Sequence, residues 1–321
     1  MRGMLARAAE NVYWLGRYLE RAGNVARILH VTEQLSVELR GLAPGLARSL
    51  WLDLPKIYPG AIVIIDPNAS TEDIAKQHLR SFLLATDNEL SIAASLRSAR
   101  ENARVVRENL TRESFEQLNQ TFHHIQDLTN KPLDTSMALC DAIKKIQVEI
   151  FGVCGAVDRT FARNEGWSFL NLGTMIERAF RTLMLLQVKL PTLMNEPEAI
   201  ELPIYYAHLR SMLRSVASWE NYRHIFGLDL DALQVLRFLL FDRYTPSSIK
   251  ACVHALQLNL NSLNDGEIMT APSRMLGKLS AKLMYEEQEI MAEEHLDHTC
   301  RDLSTSLMEV HDSVSRLYFS V

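Results

Sequence analysis

The chain has 321 residues, a formal net charge of −5, and 47% hydrophobic against 23% charged residues. That balance belongs to a folded protein with a large core and excludes a disordered, charge-rich chain. The length favours two domains over one, and the acidic balance offers no general field for a phosphate backbone, so no nucleic acid is expected as a partner.

The first element expected is a long amphipathic helix. Apolar residues fall at Leu5, Ala8, Val12, Leu15, Leu19, Ala22, Ala26 and Leu29, in steps of three and four. Within it stands GRYLERA, Gly16 to Ala22. A break is expected at LPKIYPG (54–60), inside a stretch, 51–66, WLDLPKIYPGAIVIID, that has room for a short extended run. Further breaks are expected at DPNAS (66–70), NKP (130–132), LPTLMNEP (190–197) and DRYTPSS (242–248). Ser70 and Asp73 have the spacing of a capping box for the helix that follows.

The phrase GTMIERA, Gly173 to Ala179, repeats GRYLERA at an offset of 157. The same offset relates Arg80 to Arg237, Ser91-Ile92 to Ser248-Ile249, Ala94 to Ala251, Asn102 to Asn259, and Val153, Val157 and Arg159 to Val310, Val314 and Arg316. Apolar seams agree as well: Ile92, Leu96, Ala99, Ala103, Val106 and Leu110 answer to Ile249, Val253, Leu256, Leu260 and Leu263. The reading is therefore an all-α protein made of two tandem helical-bundle copies, 1–161 and 162–321, related by a pseudo-two-fold and packed into one globule.

Chemistry-bearing residues concentrate in two places. Glu20, Arg21, Glu177 and Arg178 form twin acid–base dipeptides on amphipathic helices, where a buried charge needs a partner. Neighbouring residues point about 100° apart, so each dipeptide is expected to pair across elements, Glu20 with Arg178 and Glu177 with Arg21. Arg17, Asn24, Arg27, Asn102 and Asn259 are candidates for a polar cavity beside them, with Arg21 or Arg27 clamping a carboxylate and Glu20 as general base. Arg97, Arg100, Glu101, Arg104 and Arg107 form a charged face that the second copy lacks, a candidate for partner docking or a solvated helix surface.

Metal chemistry finds little to use. None of the ten His residues follows a Glu by three, which sets aside a four-helix di-iron site; His295 and His298 alone have a spacing that suits one metal. Phosphate loops, dinucleotide loops, nucleophile elbows and HExxH are absent, so no cofactor and no metal are expected. Cys140, Cys154, Cys252 and Cys300 are scattered, which fits a reducing cytoplasm and core thiols. No targeting segment and no membrane span are expected.

Taken together, AENVYWLGRYLERAGNVARIL, SIAASLRSARENARVVRE and GWSFLNLGTMIERA make the chain resemble the bacterial alpha-E domain family over nearly its whole length. It departs from the family's pattern at Thr245-Pro246-Ser247, where Pro-Arg-Ser is more usual. The resemblance implies association with circularly permuted ATP-grasp amide-bond ligases and transglutaminase-like proteins, in peptide synthesis or modification. Two functions follow as expectations. One is a helical accessory protein of such a ligase, not catalytic by itself; the other is a small-molecule-binding protein or enzyme that uses the Glu/Arg/Asn cavity on a carboxylate or peptide substrate.

Overall fold

The computed structural model describes residues 4–64, 66, 68–195, 201–264, 269–292 and 296–320, and these are helical without a strand. The helices of the first half are α1 (Ala6–Leu39), α2 (Pro44–Leu52), α3 (Leu54–Ile57), α4 (Thr71–Leu84), α5 (Ile92–Val105), α6 (Arg112–Thr129) and α7 (Ser136–Thr160). Those of the second are α8 (Glu165–Asn195), α9 (Leu202–Ser215), α10 (Trp219–Phe226), α11 (Ala232–Phe241), α12 (Ile249–Leu263), α13 (Ala271–Tyr285), α14 (Glu287–Ala292) and α15 (Leu296–Tyr318).

The chain divides into two compact units. One contains residues 18–161; the other joins 1–17 to 162–321, so α1 supplies its first turns to the second unit and the rest to the first. In the 18–161 unit, α7 packs on α6 and α4, and α5 lies against α6. In the other, α8 is the central element, flanked by α12, α15 and α11, with α13 against α12 and α15.

The apolar seams explain this packing. Phe169, Leu172, Ile176, Ala179, Leu183, Leu186 and Leu190 are all buried along α8, and Ile92, Leu96, Ala99 and Ala103 along α5. Removing such residues from water is the main favourable contribution to the fold. On α1 the seam starts later than the spacing predicts. Leu5 precedes the helix and is 79% exposed, while Val12, Leu15, Leu19, Ala22, Ala26 and Leu29 are buried.

Two expectations about breaks are corrected. LPTLMNEP does not stop its helix at Pro191, because α8 continues to Asn195. Proline removes one backbone donor, but the packing of Leu186, Leu190 and Leu193 on the apolar face carries the helix through it. The 54–60 segment is likewise not all connection, since Leu54–Ile57 forms a turn of helix with Pro55 in its first turn, where a proline costs no hydrogen bond. Ile65, Pro67 and residues 196–197 lie outside the described residues.

Side-chain caps set the helix starts. Ser70 accepts from the Asp73 amide at 3.1 Å, and its hydroxyl donates to the Asp73 carboxylate at 2.6 Å, a variant of the expected box. Ser91 caps α5 through the Ala94 amide at 3.0 Å, and Ser248 caps α12 through the Ala251 amide at 3.1 Å. Each hydroxyl also donates to a carbonyl of the preceding turn, Ala85 for Ser91 and Asp242 for Ser248. Because Ser248 is fully buried, Ser248→Ala leaves an amide and a carbonyl without partners. The variant is expected to lose about 1–2 kcal/mol, read as a lower midpoint in urea denaturation.

Candidate functional site

The site is built where the start of α1 crosses α8 within the unit of residues 1–17 and 162–321. Glycine makes the approach possible. A Cβ on Gly16 would sit 2.1 Å from the Leu170 carbonyl oxygen, and a Cβ on Gly173 would sit 2.0 Å from that of Tyr13. The two helices touch backbone to backbone over these glycines, and no larger residue fits either position. Thus the Gly that opens each repeated phrase serves the crossing, and the Glu four residues later on α8 is carried into the interior.

Glu177 is 0% exposed. Its Oε2 accepts from Arg17 Nε at 2.9 Å and Nη2 at 2.8 Å; its Oε1 accepts from Arg181 Nε and Nη2, both at 2.9 Å. Each guanidinium presents two donors to one oxygen, a geometry that Lys has no means to reproduce. Arg17 and Arg181 are themselves 6% and 4% exposed, so two cations and one anion share a water-poor space.

The third wall comes from α15. Arg17 Nη1 lies 3.4 Å from His311 Nε2, and His311 Nδ1 lies 2.7 Å from the Tyr13 hydroxyl. Burial, reinforced by the Arg17 charge, lowers the His311 pKa from 6.5 to about 4. A neutral ring has one N–H, and the tautomer that satisfies both contacts keeps it on Nδ1, donating to Tyr13, while Nε2 accepts from Arg17. Burial also raises the Tyr13 pKa well above the usual phenol value, so its proton stays in place. Tyr13 and His311 stack with ring centroids 5.6 Å apart, and Arg17 sits 4.8 Å from the Trp14 ring. The arrangement holds charge firmly and keeps its imidazole neutral.

The remaining sequence candidates are placed as follows. Arg17, expected in a polar cavity, is in the ion cluster just described. Glu20, Arg21 and Arg178 are half-buried, and the Arg21 guanidinium lies 5.2 Å from the Tyr18 ring. In the 18–161 unit, Asn24 accepts from the Tyr58 hydroxyl at 2.7 Å and Arg27 stands 5.8 Å from the Phe151 ring. Asn102 and Asn259 each donate to a carbonyl one turn back, Ser98 at 2.9 Å and Ala255 at 2.7 Å. Two clefts of about 390 and 300 Å³ lie on the 162–321 segment, and none of the five cavity candidates lines either.

On the charged face, Arg97, Glu101 and Arg104 are exposed, whereas Arg100 and Arg107 are half-buried over the rings of Phe122 and Phe115 at 4.7 and 4.6 Å. Arg100 also donates to Asn119 at 2.7 Å, and Glu101 lies 3.3 Å from both Arg100 and Arg104. Much of that charge is therefore tied down locally. His298 is 3.2 Å from Asp302, and His295 lies outside the described residues. Among the described residues, no three His, Cys, Asp or Glu side chains gather as a metal site.

Sequence reasoning missed Arg181, Tyr13 and His311. Arg181 carried a signal, since a Glu followed four residues later by Arg on one helix is a favoured pair. Tyr13 and His311 are 298 residues apart and gave none.

An all-helical chain with a Glu-Arg dipeptide at the crossing of its long helices is the class that this geometry defines. The chain belongs to the Alpha-E family, a predicted alpha-helical domain with a conserved ER motif, whose sequence model matches residues 4–319. It is 26% identical over 322 residues to uncharacterised proteins of Mycobacterium bovis and Mycobacterium tuberculosis, an alignment that covers 96% of this chain and 35% of theirs. The chain thus spans about a third of the length of the curated relatives it matches. No solved structure matches it. No described helix is long and apolar enough to cross a membrane.

Two expectations follow from the crossing. Gly173→Ala should destabilise by about 2–3 kcal/mol, because overpacking here meets backbone and not a movable side chain. Glu177→Gln should cost about 3–5 kcal/mol, since two buried guanidinium groups lose their counter-charge. Both are read as lowered denaturation midpoints. The depressed His311 pKa gives a signed pH dependence: its contribution is whole above about pH 6.5 and is lost as pH falls through that value towards 4. Between pH 7 and 4.5, His311→Gln should therefore lose less melting temperature than the unaltered protein.

Proposed function

We propose that the protein is a non-catalytic helical partner of an ATP-grasp amide-bond ligase, acting in the cytoplasm in a peptide-synthesis or peptide-modification system and holding or presenting the substrate. The observation that carries this reading is the 35% coverage of the relatives: there a chain like this one is a minor part of a larger protein, as expected of a module that works beside another. The ion cluster supports it too. Both oxygens of the Glu177 carboxylate are occupied by buried guanidinium groups, which suits a structural anchor better than a general base.

The same reading takes the chain as a doubled unit of about 157 residues, with copies 1–161 and 162–321. Its support lies in the paired positions. Ser91 and Ser248 cap α5 and α12, and Asn102 and Asn259 bond the carbonyls of Ser98 and Ala255, all at that one offset. A cavity enzyme is the weaker alternative, since Asn24, Asn102 and Asn259 already use side-chain hydrogen bonds inside their own units.

Affinity purification of the tagged protein with an ATP-grasp ligase of the same organism is the direct test. Co-elution is expected, with a dissociation constant at or below the micromolar range. Failure to bind at micromolar concentrations of both proteins overturns the proposal. Alanine at the exposed Arg97 and Arg104 together should weaken that binding several-fold while leaving the helical content unchanged, read by titration calorimetry and circular dichroism.

A further inference from the structure

We infer that Glu33 is a proton-operated latch that, when protonated, fastens the C-terminal end of α1 to the N-terminal ends of α4 and α7. This inference is independent of the proposed partnership. It starts from a chain of polar contacts inside the 18–161 unit. Arg40, one residue beyond α1, donates through Nη1 to Glu72 Oε2 and stands with Nη2 3.4 Å from Glu33 Oε1. The other oxygen of Glu72 accepts the Ser136 hydroxyl at 2.5 Å. Glu72 is the second residue of α4 and Ser136 the first of α7, so the relay Glu33, Arg40, Glu72, Ser136 joins three helix ends.

Two carboxylates share one guanidinium here, which leaves an excess negative charge. Their surroundings decide which of them gives it up. The Glu72 side chain is 50% exposed and solvated, whereas that of Glu33 is 10% exposed and its Oε2 is buried without a hydrogen-bond donor. Burial disfavours the charged form, so a proton arriving near neutrality goes to Glu33. Its pKa is accordingly pushed up to about 7, by burial first, against the opposing Arg40 charge and with the help of Glu72.

The groups facing this pair are His30 from α1 and Arg40 just beyond it; from α4, Glu72; from α7, Cys140, with Asp141 and Lys144 beside it. Burial raises the Cys140 thiol to about 11, so it stays neutral across the range of interest. When Glu33 is ionised it competes with Glu72 for Arg40, and the bridge to Ser136 slackens. When Glu33 is protonated, Arg40 serves Glu72 alone and the three ends are held. Since the folded pKa lies above the ordinary glutamate value of 4.5, the stabilisation is complete below about pH 4.5 and is lost as pH rises through about 7.

The test follows side-chain carboxyl titration by carbon-13 NMR, together with thermal melting at pH 5.5 and 8.5, in the unaltered protein, Glu33→Gln and Glu72→Gln. One carboxyl should titrate near pH 7, vanish in Glu33→Gln and move to lower pH in Glu72→Gln. Glu33→Gln should melt closer to the unaltered protein at pH 5.5 than at pH 8.5, where it melts several degrees higher. A Glu33 carboxyl that titrates in the ordinary carboxylate range, or a Glu33→Gln protein that keeps the original pH dependence, overturns the latch. If Glu33→Gln does not fold, the titration midpoint and its movement in Glu72→Gln decide the matter alone.

Discussion

The contact of α1 with α8 over Gly16 and Gly173 is the constraint on which the site depends. Two helices that meet backbone to backbone leave no room for water between them, and the residues a turn further along are drawn into a dry interior. A carboxylate placed there survives only with cations at hand, which is why Glu177 takes two. Burial in the same interior, reinforced by Arg17, disfavours a charged His311, and the neutral ring completes a hydrogen-bonded wall with Tyr13. Close packing, charge pairing and tautomer thus follow one from another.

Glu177, the acid of the second Glu-Arg dipeptide, is bound by Arg181 one turn along its own helix and by Arg17 on the helix that crosses it. Among the described residues two acids are buried and treated differently: Glu177 is bound by two arginines, whereas Glu33 shares one arginine with Glu72 and burial pushes its pKa up to about 7.

Much of the fold was legible in the sequence because helical seams repeat by elementary geometry. The steps of three and four residues placed Val12 to Leu29 on the buried face of α1, and Ser70 with Asp73 announced the start of α4 by their chemistry. Breakers were less faithful. Pro191 weakens a helix locally, but a strong apolar face on both sides outweighs one lost hydrogen bond. The site was legible only in part: Glu177 and Arg17 were singled out, yet helical phase says which face a residue occupies and not what crosses it. His311 enters the cluster from the last helix, and nothing in its neighbourhood along the chain marks it. The interaction with Arg17 bridges 294 positions.

The allotment of residues 1–17 to the unit that otherwise runs from 162 to 321 matters for how the protein is made. Tyr13, Gly16 and Arg17 are synthesised well before α8, the helix they cross, and 294 positions separate Arg17 from the histidine it meets. At a typical elongation rate of about 5–20 residues per second, the wait for His311 is roughly 15–60 s. During that interval residues 18–161 are already synthesised, while Tyr13 and Arg17 still lack His311. Nascent chains stalled in this window are the form in which a chaperone has most to protect.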